Sequence, residues 1–510
     1  MLARVTSGAV LGIGALPVEI EVNAGGGEPN VVIVGLPDAA VRESKDRVWT
    51  AISNSNYMPP MGRTTINLAP ADIRKEGPSF DLPIAVGALI AQKEIPATTE
   101  PVALIGELAL SGEVRRVRGV LPIALSMRDA GVRRFIVPAG NAEEAAVVDG
   151  LEVIPVVTLS EAVEYLRGNL KLDPVKADLS QLRAAVPEDC GDFLDVRGQE
   201  SAKRAIEVAV AGGHNILMIG PPGTGKTMLA RRLASILPAM TLEEALETTR
   251  IHSISGSLAS HQSLVVDRPF RAPHHTISDA GLLGGGTHPM PGEVSLAHNG
   301  VLFLDELPEF HRNVLEVMRQ PLEDGFVTIS RASGTVTFPS RFILIAAMNP
   351  CPCGYYGDPR RKCNCSSVRV QQYRSRISGP LLDRIDIHVN VNAVACADMR
   401  RDEPDGKTSA EMRATAQTAR AIQQERFRKA GLPITCNAAM GAREINRFCK
   451  LTDGAHALME NAMSDMSLSA RAYSRIVKVA RTIADIENSE TIQDLHVLEA
   501  IQYRQLDRGL

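Results

Sequence analysis

The chain has 510 residues, of which 45% are apolar, and its 55 basic residues nearly balance 59 acidic ones to give a net charge of −4. The length exceeds what one hydrophobic core serves, and the composition excludes disordered and fibrous proteins. The charge predicts no general attraction to polyanions, so a nucleic-acid surface must be local. No apolar run approaches the roughly 18 residues of a membrane span, and Gly and Pro interrupt the N-terminal apolar stretch. We therefore expect a cytoplasmic protein.

Alternating strand and helix patterns predict an α/β domain over residues 1–170. Strand-type runs such as VVIVGLP and FIVPAG alternate there with helical runs such as DAAVRESKDRVWTAISNS. Polar residues, Pro and Gly over 171–192 predict a linker, and a second α/β region follows over 193–395. Residues 396–510 contain five patterns with helical spacing of apolar residues and predict a small helical domain.

A glycine-rich motif predicts a nucleotide site at the start of the second α/β region. The strand-type run NILMIG leads into G-x-x-x-x-G-K-T and then into an amphipathic helix, which disfavours an accidental glycine turn. Backbone N–H groups of such a loop approach phosphate oxygens at a helix N-terminus. Lys226 is expected to reach the β- and γ-phosphates, and the hydroxyl of Thr227 to bind Mg²⁺. The predicted nucleotide-binding residues are Gly220, Pro221, Pro222, Gly223, Thr224, Gly225, Lys226, Thr227 and Met228.

Two further strand-type runs end in polar residues suited to phosphoryl transfer. NGVLFLDEL ends in two carboxylates, and we expect Asp305 to hold Mg²⁺ and Glu306 to orient and polarise the attacking water. The alternative is a solvated strand edge. RFILIAAMNP ends in Asn349, whose amide could position that water or sense the γ-phosphate. The alternative there is a turn asparagine before proline.

Two arginines are candidates for stabilising the charge on the γ-phosphoryl oxygens. Arg384 lies at a helix-to-strand junction in GPLLDRIDIH, and Arg471 lies in the first turn of a helix that Ser469 is expected to cap. Arginines in such positions are usually surface residues, but planar cations suit this charge. If a neighbouring subunit supplies Arg384, hydrolysis requires a ring.

The motifs GPPGTGKT, LFLDEL, AAMNP, LLDRID and SARAYSRI, in this order, resemble the AAA+ ATPases, in the branch of the magnesium chelatase motor subunits and minichromosome maintenance helicases. RPFRAPHHTIS, GGGTHPMPGEVSLAHNGVLFLDEL, NPCPCGYYGD and GLPDAAVRESKDRV resemble the ComM/YifB family of magnesium chelatase-like ATPases along essentially the whole chain. The resemblance implies an AAA+ P-loop module with a C-terminal helical lid.

The same resemblance implies a homohexameric, ATP- and Mg²⁺-dependent DNA motor that promotes branch migration during natural transformation, acting on single-stranded and branched DNA. It also implies the role of each motif residue, by position in this sequence: Lys226 and Thr227 match Walker A, Asp305 and Glu306 Walker B, Asn349 sensor 1, Arg384 the arginine finger, and Arg471 sensor 2. The alternative function is a chelatase-type motor that remodels a protein partner.

The N-terminal region resembles the Lon protease-like fold through GEVRRVRGVLPIALSMRDAGVRRFIVPAG and RKEGPSFDLPIA, with Ser79 at the place of the proteolytic serine. In that family a lysine from the following helix is the base, but Leu121 and Ile123 stand at the candidate positions here. We therefore expect no peptidase activity. The remaining interpretations are a collar on the ring or DNA binding through Arg115, Arg116 and Arg118.

The segment between the two nucleotide motifs, about 80 residues, is longer than one βαβ step needs, and we expect its excess to project as a mobile loop. It contains a histidine group without a spaced carboxylate or cysteine partner, which we interpret as packing or loop structure rather than a metal site: His261, His274, His275 and His288. Farther on, DGFVTISRASGTVTFPSRF predicts a β-hairpin with Arg331 near its tip. In the related helicases such a hairpin points into the ring pore, where a basic residue would contact phosphate.

Four of the eight cysteines fall within NPCPCGYYGDPRRKCNC and predict a tetrahedral zinc site, with free thiols as the alternative: Cys351, Cys353, Cys363 and Cys365. The surrounding PRRKCNCSSVRVQQYRSR is basic, and we expect Arg360, Arg361 and Lys362 to contact a DNA strand. The alternative is a solvated basic loop at a subunit interface.

Overall fold

The computed structural model describes residues 2–96, 101–177, 190–259, 262–286, 289–331, 334–394, 406–466 and 468–504. Contacts between residues divide the chain into two compact units. The first contains Met1–Leu182, Leu242–Val265 and Gly334–Phe338, and the second contains Arg183–Thr241, Val266–Ser333 and Pro339–Leu510. Residues 178–189 of the predicted linker and the predicted boundary at 395/396 lie outside the described residues.

The first unit is built on a seven-stranded mixed sheet with the order β3-β4-β2-β1-β5-β8-β9. Strands β1 and β2 are antiparallel neighbours, and the strands on the β5 side run parallel to β1. The strands of this unit, including the short pair β6 and β7, are β1 (Leu2–Leu11), β2 (Gly14–Ala24), β3 (Asn30–Val34), β4 (Arg63–Ala69), β5 (Val102–Leu104), β6 (Glu107–Leu108), β7 (Val114–Arg115), β8 (Arg134–Pro138) and β9 (Glu152–Val156).

Two hydrophobic clusters cover the two faces of this sheet. Along β8, Ile136 belongs to one cluster, whereas Phe135 and Val137 belong to the other, as the alternation of side chains along a strand requires. The helices of the unit are Ala39–Asn54, Asp81–Ala91, Val120–Asp129, Ala142–Ala146, Leu159–Arg167 and Leu242–Ser255. The helix Leu242–Ser255 lies between the two predicted nucleotide motifs and overlaps the predicted loop only in its last turn, and it packs against the helix Val120–Asp129.

The second unit contains a five-stranded parallel sheet with the order β11-β14-β17-β10-β18. All four residues of β10 and of β14 are buried, as expected for a parallel sheet covered on both faces. The strands are β10 (Ile216–Ile219), β11 (Phe270–Arg271), β14 (Val301–Leu304), β17 (Ile343–Met348) and β18 (Ile387–Asn390). Two short strand pairs are also present: β12 (Gly284–Gly285) with β13 (Met290–Pro291), and β15 (Phe326–Arg331) with β16 (Gly334–Pro339). Residues Gly334–Phe338 of β16 are assigned to the first unit.

Helices surround the parallel sheet and form the C-terminal part of the second unit. Those within the sheet region are Glu200–Gly212, Lys226–Arg232, Asp279–Leu283, Glu293–Leu296, Arg312–Val317, Arg319–Asp324, Ser367–Arg374 and Gly379–Leu382. The C-terminal helices are Ser409–Lys429, Ala442–Phe448, Asp453–Asp465, Ala470–Ile486 and Asp494–Gln502, which confirms the five predicted helical patterns. The helix Ser409–Lys429 packs against Glu200–Gly212 and joins both sets in one core.

The fold class predicted from the sequence is confirmed, since an α/β unit precedes a parallel-sheet unit with a C-terminal helical region. The predicted hairpin strands are also present as β15 and β16. None of the described helices combines the length and the apolar character that crossing a membrane requires.

A buried ion pair in the first unit gives a test of its stability. Asp81 is fully buried and accepts two hydrogen bonds from Arg47, at 3.0 and 3.1 Å. Burial raises the pKa of Asp81 to about 6, and Arg47 opposes that shift. In the unfolded chain the pKa is about 4, so this carboxyl favours the native state below pH 4, and the benefit is lost as pH rises through 6.

We predict that Arg47→Ala destabilises the first unit by about 2–3 kcal/mol at pH 8, because it leaves a buried charge without its partner. At pH 5 the loss should be smaller, because the unpaired carboxyl takes up a proton. The free energy of unfolding of this unit is measured by urea unfolding, followed by the fluorescence of Trp49, which is the single tryptophan and packs against the core of the unit. Arg128→Ala removes an exposed pair with Asp129 and should cost less than about 1 kcal/mol at either pH. An equal loss at both pH values for Arg47→Ala would contradict the prediction.

Candidate nucleotide site

The glycine-rich loop, residues 220–227, follows the carboxyl end of β10 and leads into the helix Lys226–Arg232. A Cβ atom on Gly220 would lie 2.1 Å from the carbonyl oxygen of Val391, so only glycine fits there. Gly225 has a φ of 90° and precedes the first helical residue. Thr224 is buried and donates to the Pro221 carbonyl at 2.9 Å, whereas Met228 is exposed. The loop therefore presents a helix N-terminus at the sheet edge.

The ammonium group of Lys226 is the centre of the site. It is buried and donates to the carbonyls of Gly220 at 2.7 Å and Pro221 at 2.9 Å, and to Oδ1 of Asn349 at 3.2 Å. Burial lowers the pKa of Lys226, and the charges of Asp305 and Glu306 oppose that shift. The ends of β10 and β17 thus meet through this side chain.

A hydroxyl and a carboxylate lie together in a position suited to Mg²⁺. Thr227 Oγ1 donates to Asp305 Oδ2 at 2.6 Å, and Asp305 Oδ1 accepts the backbone N–H of Glu306 at 2.9 Å. Neighbouring oxygen ligands of octahedral Mg²⁺ are about 3 Å apart. The oxygen pair of Thr227 and Asp305 therefore fits two adjacent ligand positions of that ion.

Glu306 is exposed and adopts a left-handed backbone conformation with φ of 53°, which is uncommon for this residue type. Its Oε2 lies 3.6 Å from Nδ1 of His275. His275 stacks on His274 with ring centroids 4.1 Å apart and meets the edge of Phe310. His275 therefore contacts the carboxylate that is predicted to orient water, which the interpretation as packing or loop structure does not specify. His261 and His288 lie outside the described residues.

Asn349 is held from both sides. Its side chain meets Lys226, and its backbone is hydrogen-bonded to Tyr373, whose pKa burial raises to about 12. The next carbonyl, that of Pro350, accepts a hydrogen bond from Arg374 Nε at 3.2 Å. The helix Ser367–Arg374 therefore supports the end of β17.

The two arginines predicted to face the γ-phosphate, Arg384 and Arg471, have none of the nucleotide-site residues as partners in the described part of the chain. Arg384 forms an ion pair with Glu323 and donates to the Pro380 carbonyl. Arg471 is exposed in the first turn of Ala470–Ile486, and the predicted cap is confirmed, since Ser469 Oγ accepts from Ala472 N at 3.2 Å. Among the described residues, no hydrogen bond or ion pair joins either arginine to Lys226, Thr227, Asp305 or Asn349.

The four predicted cysteine ligands come together in a cysteine cluster: Cys351, Cys353, Cys363 and Cys365. Three Sγ–Sγ distances are 3.4, 3.6 and 3.7 Å, and all four Sγ atoms lie within 4.8 Å of one another. A tetrahedral zinc with Zn–S bonds of about 2.3 Å separates its sulfurs by about 3.8 Å. Hydrogen bonds from the backbone of Tyr355 and Asn364 lower the pKa of Cys353 to about 6. The cluster therefore has the donor set and spacing of a four-thiolate zinc site.

The predicted DNA-contacting side chains are exposed, and several have local partners. The guanidinium of Arg361 lies 4.2 Å from the ring centre of Tyr355, and Arg360 donates to the backbone at Ala393. Lys362 is exposed, as is Arg331 at the end of β15. In the first unit, Leu121 and Ile123 are buried apolar residues.

Three protein-family models match successive parts of the chain. The family model described as magnesium chelatase, subunit ChlI, matches residues 192–399, and its C-terminal counterpart matches 406–504. A further model, subunit ChlI of Mg-chelatase, matches 20–141. These matches define a magnesium chelatase-like AAA+ protein.

Full-length relatives narrow the assignment. The chain is 44% identical over 513 residues to competence protein ComM of Haemophilus influenzae, covering 100% of this chain and 98% of the relative. It is 42% identical over 510 residues to the uncharacterized protein YifB of Escherichia coli, again covering 100% and 98%. Lon protease 2 of Bacillus subtilis is 30% identical over 146 residues, covering 28% of this chain and 26% of that protein. The chain belongs to the ComM/YifB family of magnesium chelatase-like AAA+ proteins.

The contact between His275 and Glu306 can be tested by kinetics. We predict that His275→Ala lowers ATP turnover by up to about fivefold, because Glu306 loses a partner in an exposed ion pair that contributes at most about 1 kcal/mol to its orientation. Nucleotide affinity should not change, since the hydrogen bonds, ion pairs and ring contacts among the described residues do not join His275 to residues 220–227. Glu306→Gln should bind nucleotide and lose turnover almost completely. Unchanged turnover in His275→Ala would show that the contact is only structural.

Proposed function

We propose that this protein is an ATP-driven DNA helicase or translocase that promotes branch migration of recombination intermediates during natural transformation, and that it acts in the cytoplasm. The observation that carries the proposal is the convergence of Lys226, Thr227, Asp305 and Asn349 at one edge of a parallel sheet, in a chain similar over its whole length to a competence protein. Ligands of open α/β sheets bind at this edge, outside the carboxyl ends of the strands.

The proposed chemistry is hydrolysis of ATP. The ammonium group of Lys226 now faces the carbonyls of Gly220 and Pro221, and phosphate oxygens would replace these acceptors. Thr227 and Asp305 would hold Mg²⁺, which supplies charge neutralisation at the phosphates. Glu306 would polarise the attacking water, and Asn349 would align it from the end of the neighbouring parallel strand, β17.

We propose a homohexameric ring as the active assembly, with Arg384 serving the site of the adjacent subunit and Arg471 serving as sensor 2. Arg384 is 14% exposed and paired with Glu323, so it must leave that partner to reach a phosphate. An arginine finger contributes roughly 10³ to 10⁵ in rate, so assembly would control turnover.

DNA contact is proposed for two surfaces of the chain. Arg331 at the end of β15 suits a phosphate contact, because the pair of β15 and β16 is separate from the parallel sheet and its last residues are exposed. The second surface carries Arg360, Arg361 and Lys362, and the half-exposed ring of Tyr356 lies in the same loop, with the guanidinium of Arg374 5.3 Å from its centre. Basic side chains next to an exposed aromatic ring suit a single strand.

We also propose that the cysteine cluster holds one structural zinc ion. The sulfur spacing supports this, and the loop from Asn349 to Ser366 has no helix or strand of its own to fix its path. The domain organisation that we propose is a Lon protease-like domain over 1–170, a linker over 171–192, an AAA+ core over 193–395 and a helical lid over 396–510. The agreement between these bounds and the three family matches supports it.

The alternative is a chelatase-type motor that remodels a protein partner. It is favoured by the family models, which are described by a magnesium chelatase subunit. Both functions use the same nucleotide site, so the two are distinguished by whether the motor contacts DNA or a protein partner.

We predict that Arg331→Ala weakens binding to single-stranded DNA and makes the affinity less dependent on salt. The slope of log K against log salt should become shallower by about 0.7, because one fewer phosphate is neutralised by the protein. ATP hydrolysis without DNA should stay near the wild-type rate. Arg443→Ala changes an exposed arginine on a C-terminal helix and is the matched control. DNA that neither binds nor stimulates hydrolysis by the wild type would reject the DNA motor and favour the chelatase-type alternative.

A further inference from the structure

The cysteine cluster is connected to the nucleotide site along the chain. Cys351 is fully buried and lies two residues after Asn349, whose side chain accepts the hydrogen bond from Lys226. The intervening Pro350 is fixed through its carbonyl by Arg374. A displacement of Cys351 therefore moves a short, stiff segment that ends at the partner of Lys226.

A second connection runs through space. Gly354 has a φ of 86°, and its backbone N–H donates to the Cys351 carbonyl at 2.9 Å in a tight turn. This turn lies against the glycine-rich loop, because a Cβ on Gly354 would lie 2.6 Å from Cδ and 3.1 Å from Cγ of Pro222. Pro222 follows Pro221, whose carbonyl also accepts from Lys226. The loop that carries the cluster is therefore linked to two groups that accept hydrogen bonds from Lys226: to Asn349 along the chain, and to the segment of Pro221 and Pro222 through the packing of Gly354.

The second half of the cluster, Cys363 and Cys365, lies on irregular backbone. Cys363 and Cys365 approach Cys351 from across a loop without helix or strand. A metal that binds all four sulfurs would close this loop, and the binding free energy of a structural zinc orders such segments.

We propose that the zinc-loaded cysteine cluster is a positioning element for nucleotide binding, in which the metal holds Asn349 through Cys351 and holds residues 220–227 through the contact between Gly354 and Pro222. The inference rests on the proposed binding of zinc and ATP. It goes beyond a structural zinc site because it assigns the metal an effect on nucleotide affinity. It requires no DNA.

The experiment measures two quantities on the full-length protein without DNA: zinc per chain, and affinity for a fluorescent ADP analogue in excess Mg²⁺. The wild type should carry about one zinc per chain. Cys363→Ser, or removal of zinc by a chelator with Mg²⁺ then restored, should weaken nucleotide binding at least about fivefold. Added zinc should restore the stripped wild type but not Cys363→Ser. Cys436→Ser, which changes a cysteine outside the cluster, should keep both zinc and affinity.

A matched pair of glycine variants separates the loop contact from loss of the metal or the fold. Gly354→Ala and Gly357→Ala both introduce a side chain at positive φ in the same loop, at 86° and 78°, but only the first meets Pro222. Gly354→Ala should keep zinc and weaken nucleotide binding, whereas Gly357→Ala should keep both.

Three results would overturn the proposal: folded wild type without zinc, full nucleotide affinity after zinc removal, or equal affinities in the two glycine variants. Failure of the DNA motor is a separate result, because it would appear as missing DNA-stimulated hydrolysis while the zinc dependence of nucleotide binding persists.

Discussion

The nucleotide site depends on the register of three buried parallel strands. β10 pairs with β17 so that Ile219 lies opposite Met348, and β14 pairs with β17 so that Leu304 lies opposite Ala346. The polar residues that follow these strands therefore emerge at the same edge of the sheet. A shift by one residue would turn each strand's side chains to the opposite face, and the close packing of differently shaped side chains on both faces opposes it. The hydrophobic core thus fixes the distance of 3.2 Å between Lys226 and Asn349.

The sequence predicted this edge well because its signals are local. Each motif combines a strand-type run with the polar residues that follow it, so the order of strand and functional residue is readable without the tertiary structure. The five C-terminal helices were predictable for the same reason, since amphipathic spacing and caps such as Ser469 are local patterns. The cysteine cluster was predictable from spacing because cysteines separated by short turns converge without distant contacts.

Other features depend on contacts between distant residues and could not be predicted. His275 reaches Glu306 because β11 pairs with β14, and nothing in the adjacent histidines signals that pairing. The strand Leu2–Leu11 is not among the predicted strands, because Thr6, Ser7 and Gly8 interrupt its apolar pattern. The helix Leu242–Ser255 belongs by its contacts to the first unit, although the sequence places it between two nucleotide motifs. The contact between Gly354 and Pro222 likewise joins segments more than a hundred residues apart.

The proposed completion of each ATP site by an adjacent subunit is tested most directly by assemblies that mix two inactive variants. Lys226→Ala removes the proposed phosphate contact and Arg384→Ala removes the proposed finger, so each variant alone should be inactive. Equal mixing should restore up to about a quarter of wild-type turnover, because half of the sites keep Lys226 and half of those face an intact Arg384. A mixture as inactive as the separate variants, under conditions in which the subunits co-assemble, would contradict the account.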